Sequence, residues 1–399
     1  MQEAVKKNPM DGGTVIVAAL IASAIGALFY NVLPLFLGSA QDYRGLDNRA
    51  IGFLSSAFFL GYNVVTISAF FWIRRLSWAL IVAVSTPLAA LALYAGTLTE
   101  SYAMLLVSVA VAGGAFAAIY GVGTTVLGDT SNPSRWYGIK IAAEALTGAV
   151  LLLVLPSTAI ARWGFDGTVF GLIIVMVFMS PFLFWTPAHG VKSPDSEVLP
   201  IDVPEPAASG RPAQTPFIWG AIFATLIFFA GASAIWAFIE RFGAQVGHDP
   251  SAVGVLLAVT LIFAVIGSLV AAVLGGRFGN VRPFVAGAGI FLAALVALAE
   301  SQSFTLYAIG ACGATFAIGY MLPIAITEIA ELDGDGRYVV LSVPAIGIGA
   351  MLGPGIAGVL TQSGNYVALL VFGAATIVVS SILIAAAAAH ARPYVAAAN

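Results

Sequence analysis

The run VIVAALIASAIGALFYNVLPLFL, residues 15–37, holds 23 residues without one charge. At a rise of about 1.5 Å per residue it is long enough to cross roughly 30 Å of bilayer hydrocarbon. A signal peptide's apolar core is about 7–15 residues, so this run is expected to stay in the chain as a spanning helix behind a short tail carrying Lys6 and Lys7.

Working outward, the same pattern recurs along all 399 residues. Apolar runs fall at 14–38, 50–72, 78–97, 102–128, 137–160 and 167–186, then at 216–239, 250–274, 283–299, 303–329, 338–361 and 366–389. The spacing predicts an all-α integral membrane protein of twelve helices. Spanning strands would be about ten residues long and alternate strictly, and these runs are longer and apolar all round. Composition agrees: 60% of residues are apolar and 9% are charged, at a mean hydropathy of +1.00. Soluble domains carry about 25% charged residues, so the bilayer is the solvent implied. Lys and Arg number 16 against 19 Asp and Glu, a balance that offers no basic excess for a nucleic-acid backbone. The one cysteine, Cys312, excludes a disulfide framework and a cysteine metal site.

On the twelve-helix map, one side collects Lys6, Lys7, Arg74, Arg75, Arg135, Lys140, Lys192, Arg211, Arg277, Arg282, Arg337 and Arg392, and the other only Arg44, Arg49, Arg162 and Arg241. The positive-inside rule then places both termini in the cytoplasm of an inner, plasma-membrane protein. Residues 187–215, with prolines at 187, 194, 200, 204, 206 and 212, read as a cytoplasmic linker. The expected domains are a tail (1–13), a six-helix bundle (14–186), the linker (187–215), a second six-helix bundle (216–390) and a tail (391–399).

The halves repeat. At an offset of 202, Gly45, Asp47, Ala50, Gly52 and Leu54 match Gly247, Asp249, Ala252, Gly254 and Leu256, and Arg75 and Arg135 match Arg277 and Arg337. At an offset of 200, Gly113, Phe116, Ala117 and Tyr120 match Gly313, Phe316, Ala317 and Tyr320. The slip of two is what a shortened loop would produce. Two like-oriented halves suit rocking about a midplane site.

With this layout the chain resembles the major facilitator superfamily across 14–390. The most specific local match is Gly276-Arg277-Phe278-Gly279-Asn280-Val281-Arg282, which is similar to the family's loop pattern Asp-Arg-x-Gly-x-x-Arg/Lys. The first-half copy, Arg74-Arg75-Leu76-Ser77-Trp78, is degenerate, and both copies lack the Asp. The resemblance implies a secondary transporter in which helices 1, 4, 7 and 10 line a cavity. It directs attention to Tyr30 and Asn31, to Phe116, Tyr120 and Thr124 at i, i+4, i+8, to Ser233 and Trp236, and to Phe316 and Tyr320. It also implies two gating latches, Arg75 with Asp129 and Arg277 with Glu328 or Glu331. Aromatics at such positions can equally be packing residues.

A charge inside the membrane needs a reason. Lys140 and Glu144 are spaced i,i+4, and their pairing reads either as a structural ion pair or as a proton-coupling or cation-binding site. Glu240 beside Arg241 reads as a solvated helix end, as a guard of the outer mouth or as a further proton-coupling acid beside Glu144. Glu328 reads as gate, coupling site or solvated end. Asn63 reads as an interhelical hydrogen bond.

Enzyme readings lack support in the residues. His189, His248 and His390 all fall in expected loops, and Gly121-Val122-Gly123 and Gly347-Ile348-Gly349 lie inside spans rather than after strands. No cofactor or metal is expected. The expectation is a monomeric secondary transporter moving a small organic solute, neutral, cationic or aromatic, by alternating access driven by protons or another ion. The competing expectation is a membrane sensor, scaffold or assembly factor of the same fold.

Overall fold

The computed structural model describes residues 8–191, 215–274, 277–333 and 338–396. Most of the expected linker, and with it Lys6, Lys7, Lys192, Arg211 and Arg337, lies outside the described residues. Twelve α-helices are described: α1 Gly13–Arg44, α2 Asn48–Trp72, α3 Trp78–Thr97, α4 Tyr102–Gly128, α5 Pro133–Val154, α6 Ala161–Met179, α7 Thr215–Gln245, α8 Pro250–Leu274, α9 Val281–Ala299, α10 Phe304–Leu332, α11 Ser342–Leu360 and α12 Val367–Ala396.

Among the described residues eleven stretches are long and apolar enough to cross a membrane, because α5 and α6 fall in one 51-residue stretch, Arg135–Trp185. At about 1.5 Å per residue that stretch is far longer than the hydrocarbon layer. It is not straight. Gly164, at φ 57° and ψ −132°, interrupts it with a conformation that only glycine adopts readily. Beyond it the chain lies back along itself, with Gly167 against Ala159 and Gly171 against Leu155.

The helix ends follow from local chemistry. Asp47 caps α2 by accepting the Ala50 N–H at 2.7 Å, and 202 residues on Asp249 caps α8 by accepting the Ala252 N–H at 2.9 Å. Ser101 and Ser303 stand at the N-caps of α4 and α10. The offset of 202 therefore holds at the helix ends. It holds again where the halves meet: Gly52 lies under the Pro354 carbonyl and beside Gly358, and Gly254 lies under the Leu152 carbonyl and beside Pro156. These are the α2/α11 and α8/α5 contacts, related residue for residue by the repeat.

Inside each half the tightest crossings are made without side chains. Gly61 sits on the Ala110 carbonyl and Gly113 on the Phe58 carbonyl, joining α2 to α4. The same reciprocal contact joins α8 to α10, with Gly267 on the Phe316 carbonyl and Gly319 on the Ala264 carbonyl, 206 residues on and so one turn further along both helices. Around the first crossing Phe29 stacks on Phe58 with ring centroids 4.0 Å apart, and Phe116 closes the cluster.

A side chain at Gly113 would meet backbone rather than a movable group. Gly113→Val is expected to destabilise the protein by about 1–3 kcal/mol through overpacking. Gly289→Ala, where nothing lies within 4 Å of the new carbon, is the control, and thermal unfolding of the two purified variants makes the comparison.

Candidate functional site

The end of the molecule that carries the N-terminal segment can be called the tail end, and the opposite one the far end. A cavity of about 530 Å³ lies between α1, α2, α4 and α5 on one side and α7 and α11 on the other. Its lining begins near mid-helix at Gly26, Tyr30 and Phe58 and continues to Phe71, Ile73 and Val340, so it reaches the tail end. The wall is mostly apolar and aromatic. Its polar groups include Asn31, Asn63, Thr66, Tyr120 and one carboxylate, Glu144.

The carboxylate belongs to a small cluster. Lys140 Nζ stands 3.2 Å from Glu144 Oε1 and donates to the Tyr120 hydroxyl at 2.7 Å, over the Tyr120 ring at 4.2 Å from its centroid. The i,i+4 spacing on α5 brings the two charges together, and α4 supplies the tyrosine. Asn31 Nδ2 donates to the Glu144 carbonyl at 2.9 Å, tying α1 to α5 at this turn, where Gly148 leaves room for Asn31. Glu144 is on the cavity lining, with 13% of its side-chain surface open, whereas Lys140, at 7%, stands behind it.

At the far end the cavity is closed by a polar network across the halves. Arg241 uses all five of its N–H donors: two bonds to Glu240, two to Asp42 and one to Gln41, at 2.5–3.1 Å. Gln41 passes the chain on to Asn48 at 2.7 Å, and Asn48 donates to the Thr361 carbonyl at 2.6 Å. Gly38 has no side chain where Glu240 and Arg241 lie against α1. Deeper in, Trp236 Nε1 donates to the Tyr30 carbonyl at 3.0 Å, Ser56 Oγ to the Met351 carbonyl at 2.7 Å and Asn63 Nδ2 to the Gly347 carbonyl at 2.7 Å.

Two comparisons bear on this architecture. The model of the Major Facilitator Superfamily matches residues 221–398. Among solved structures, the nucleoside transporter NupG covers 94% of this chain and 99% of its own at a TM-score of 0.73 and 12% identity. The chain has the major facilitator superfamily fold. A bacterial homolog of the human lysosomal transporter Spinster, in an inward-facing and unoccupied conformation, covers 96% of each chain at a TM-score of 0.64 and 15% identity. FucP, in its outward conformation, covers 95% of this chain and 99% of its own at 0.59 and 17%. A search of curated protein sequences finds no match.

Within this fold the expected site residues separate. Tyr30, Asn31, Tyr120 and Glu144 line the cavity together, with Lys140 directly behind Tyr120. Phe116, Thr124 and Trp236 do not line it: Phe116 is packed among Phe29 and Phe58, Thr124 is buried, and Trp236 is spent on closing the far end. Phe316 and Tyr320 also lie away from it, stacked on each other, with the Tyr320 ring against Gly287. The reason is register. The helix ends repeat at 202, whereas the Phe/Tyr pairs were matched at 200, and two residues turn a helix by about 200°. The two tyrosines therefore face opposite ways.

The latches are also corrected. Asp129 is held by Arg74, at 2.5 and 2.8 Å, while Arg75 is exposed. This pair lies within the first half, beneath Trp78 and Gly190, with Asn8 donating to the Asp129 carbonyl at 2.8 Å. In the second half Asn280 donates to both Glu328 and Glu331 at 2.9 Å, and Arg277 is exposed. Glu328 is buried and Glu331 exposed, so the reading of Glu328 as a solvated end falls. The solvated reading of Glu240 falls too, since it is buried with Arg241. Asn63 makes the interhelical bond expected of it and also lines the cavity. Asp42, Gln41 and Asn48 were missed, because a polar loop edge gives no sign of which cation or carbonyl it meets across the halves. Among the described residues no group of three or more His, Cys, Asp or Glu could hold a metal ion.

Arg241 is 5% exposed at its side chain and Asp42 is 52% exposed. Removing the buried member leaves Glu240 without its cation, so Arg241→Gln is expected to cost about 3–5 kcal/mol. Asp42→Asn should cost clearly less, since Arg241 keeps Glu240. Thermal unfolding of both variants checks the order, and equal losses would contradict this account of the closure.

Proposed function

We propose that this chain is a secondary transporter: twelve crossings in two six-helix bundles, 14–186 and 216–390, moving a small organic solute across the inner membrane by alternating access. The termini lie in the cytoplasm, so the tail end of the cavity is the cytoplasmic mouth and the far end is the closed outer gate. The observation that carries the reading is the cavity between the halves, sealed at one end by the Arg241 network and reaching the other. A cavity with one mouth is one of the two states that rocking about a midplane site requires. The fold shared with transporters of nucleosides and other cargo supports the same class.

The solute is neutral, cationic or aromatic. The lining offers aromatic faces and amides and, among the described residues, holds no Lys or Arg that could clamp a strong anion. Coupling to a proton gradient runs through Glu144, whose carboxylate is the one acid on the lining among the described residues and has Lys140 as its counter-charge. Protonation of Glu144 frees Lys140 from it, and this is the charge change that a gradient can drive.

The test is purified protein in liposomes with an internal pH dye, challenged with aromatic, cationic and carboxylated solutes under an imposed proton gradient. Saturable, solute-dependent proton flux is the expected result. Glu144→Gln should abolish gradient-driven accumulation while leaving counterflow exchange at saturating solute, and retained accumulation would remove Glu144 from the coupling step.

A further inference from the structure

The chemistry of the lining narrows the solute, on the premise that the cavity is the transport site just proposed. Glu144 is its carboxylate, and Oε1 is buried yet accepts no aligned hydrogen bond, its contact with Lys140 being an ion pair at 3.2 Å. Lys140 has a second partner, the Tyr120 hydroxyl at 2.7 Å, and the ring of the same tyrosine beneath it. The ammonium can therefore leave Glu144 without losing every contact.

The two amides of the lining are held by the backbone. Asn31 and Asn63 each donate one Nδ2 hydrogen to a backbone carbonyl, of Glu144 and of Gly347, which fixes both amides on the wall with a second N–H still to spend. The Glu144 carboxylate is an acceptor only and calls for a donor. Around these groups stand Tyr30, Phe59, Tyr62 and Tyr120, whose ring faces attract cations. A volume of about 530 Å³ suits one small organic molecule.

We propose that the solute is a protonated amine on an apolar or aromatic body, and that its ammonium takes the place of Lys140 on Glu144. Lys140 is then a resident stand-in for the solute: it keeps the carboxylate paired while the cavity is empty and stays on Tyr120 alone when the cavity fills. An empty site never holds an unpaired buried charge, which would otherwise be strongly unfavourable. Exchange of one ammonium for another leaves the number of ion pairs unchanged and leaves Lys140 with only the Tyr120 hydroxyl and ring, a cost that opposes binding and lets the site release what it binds.

The experiment measures binding of radiolabelled 2-phenylethylamine to the purified full chain, with 2-phenylethanol and 3-phenylpropionate as competitors of similar shape and different charge. The amine is expected to bind wild-type protein at least about tenfold more tightly than the alcohol, and the acid more weakly still. Lys140→Met removes the competing cation and should tighten amine binding by about fivefold or more. Glu144→Gln should weaken amine binding by about tenfold or more and leave the alcohol unchanged. Because that variant strands Lys140, the double variant K140M/E144Q, which is neutral at both positions, should show the same loss of preference for charge. Equal binding of amine and alcohol to wild type, or an amine affinity unchanged in the double variant, would overturn the inference. In the liposome assay, movement of the alcohol or the acid but not the amine would overturn it while leaving the transporter reading standing. Failure of every solute in the panel to move would remove the transporter reading and this inference with it.

Discussion

A guanidinium taken out of water is tolerated only if its donors are met, and the placement of Arg241 sets much of the rest of the molecule. Its five N–H groups need acceptors from two elements, Glu240 beside it and the Gln41–Asp42 end of α1. That requirement draws the end of α7 onto α1, and Gly38 is the place where α1 can receive it. With those ends fixed, Trp236 reaches the Tyr30 carbonyl and Asn48 the Thr361 carbonyl, so the halves close over the far end. The cavity is what remains below the closure, where the halves diverge. Its depth is thus a consequence of where one charge could be neutralised.

The contacts inside a half and those between halves differ in kind. The α2/α4 and α8/α10 crossings set glycines on carbonyls in reciprocal pairs, leaving no side chain that could rearrange. Such packing favours a rigid unit, since close-packed interiors do not deform continuously. Across the halves, Ser56, Asn63 and Asn48 donate to backbone carbonyls of α11 or its end, and Arg241 meets Asp42 and Gln41. These are groups that water could satisfy equally well if the far end opened. The Gly52 and Gly254 contacts are the exceptions, and both sit at the same level, on the two repeat-related seams. A pair of close seams at one level with exchangeable polar bonds around them has the geometry of a pivot.

Much of this was legible in residue order alone. The expected spans coincide closely with the helices from α1 to α4 and from α8 to α11, because apolar length is a local property and the Asp47, Asp249, Ser101 and Ser303 caps are local signals. The pairing of Lys140 with Glu144 was legible for the same reason. Partners across space were not. Arg74 and Arg75 are neighbours, and only the fold of the α2–α3 turn decides which meets Asp129. The Phe316–Tyr320 pair copies Phe116 and Tyr120 in letters, but the helix ends fix a register two residues away, and side chains turned by about 200° serve packing instead. Similarity of residues locates a repeat; helix phase decides which copy reaches the cavity.

That repeat also shows how the two walls of the cavity come to differ. The seams fix the offset at 202 for α5 and α11, so the counterpart of Glu144 is Ile346, and Ile346 lines the cavity as well. The counterpart of Lys140 is Ser342. The fold therefore places two equivalent positions on the cavity, and this chain put an ion pair at one and an aliphatic side chain at the other. On the α7/α11 side, Phe229, Val343, Pro344 and Ile346 present an apolar face. A charged solute held between unlike walls is bound by one and merely covered by the other. In a rocking cycle the first half would then carry recognition, while the second half would enclose the guest and form the seams on which the motion turns. Among the described residues the ion pair of the cavity lies within one wall, and the ion pairs that join the walls are those of the far-end network around Arg241.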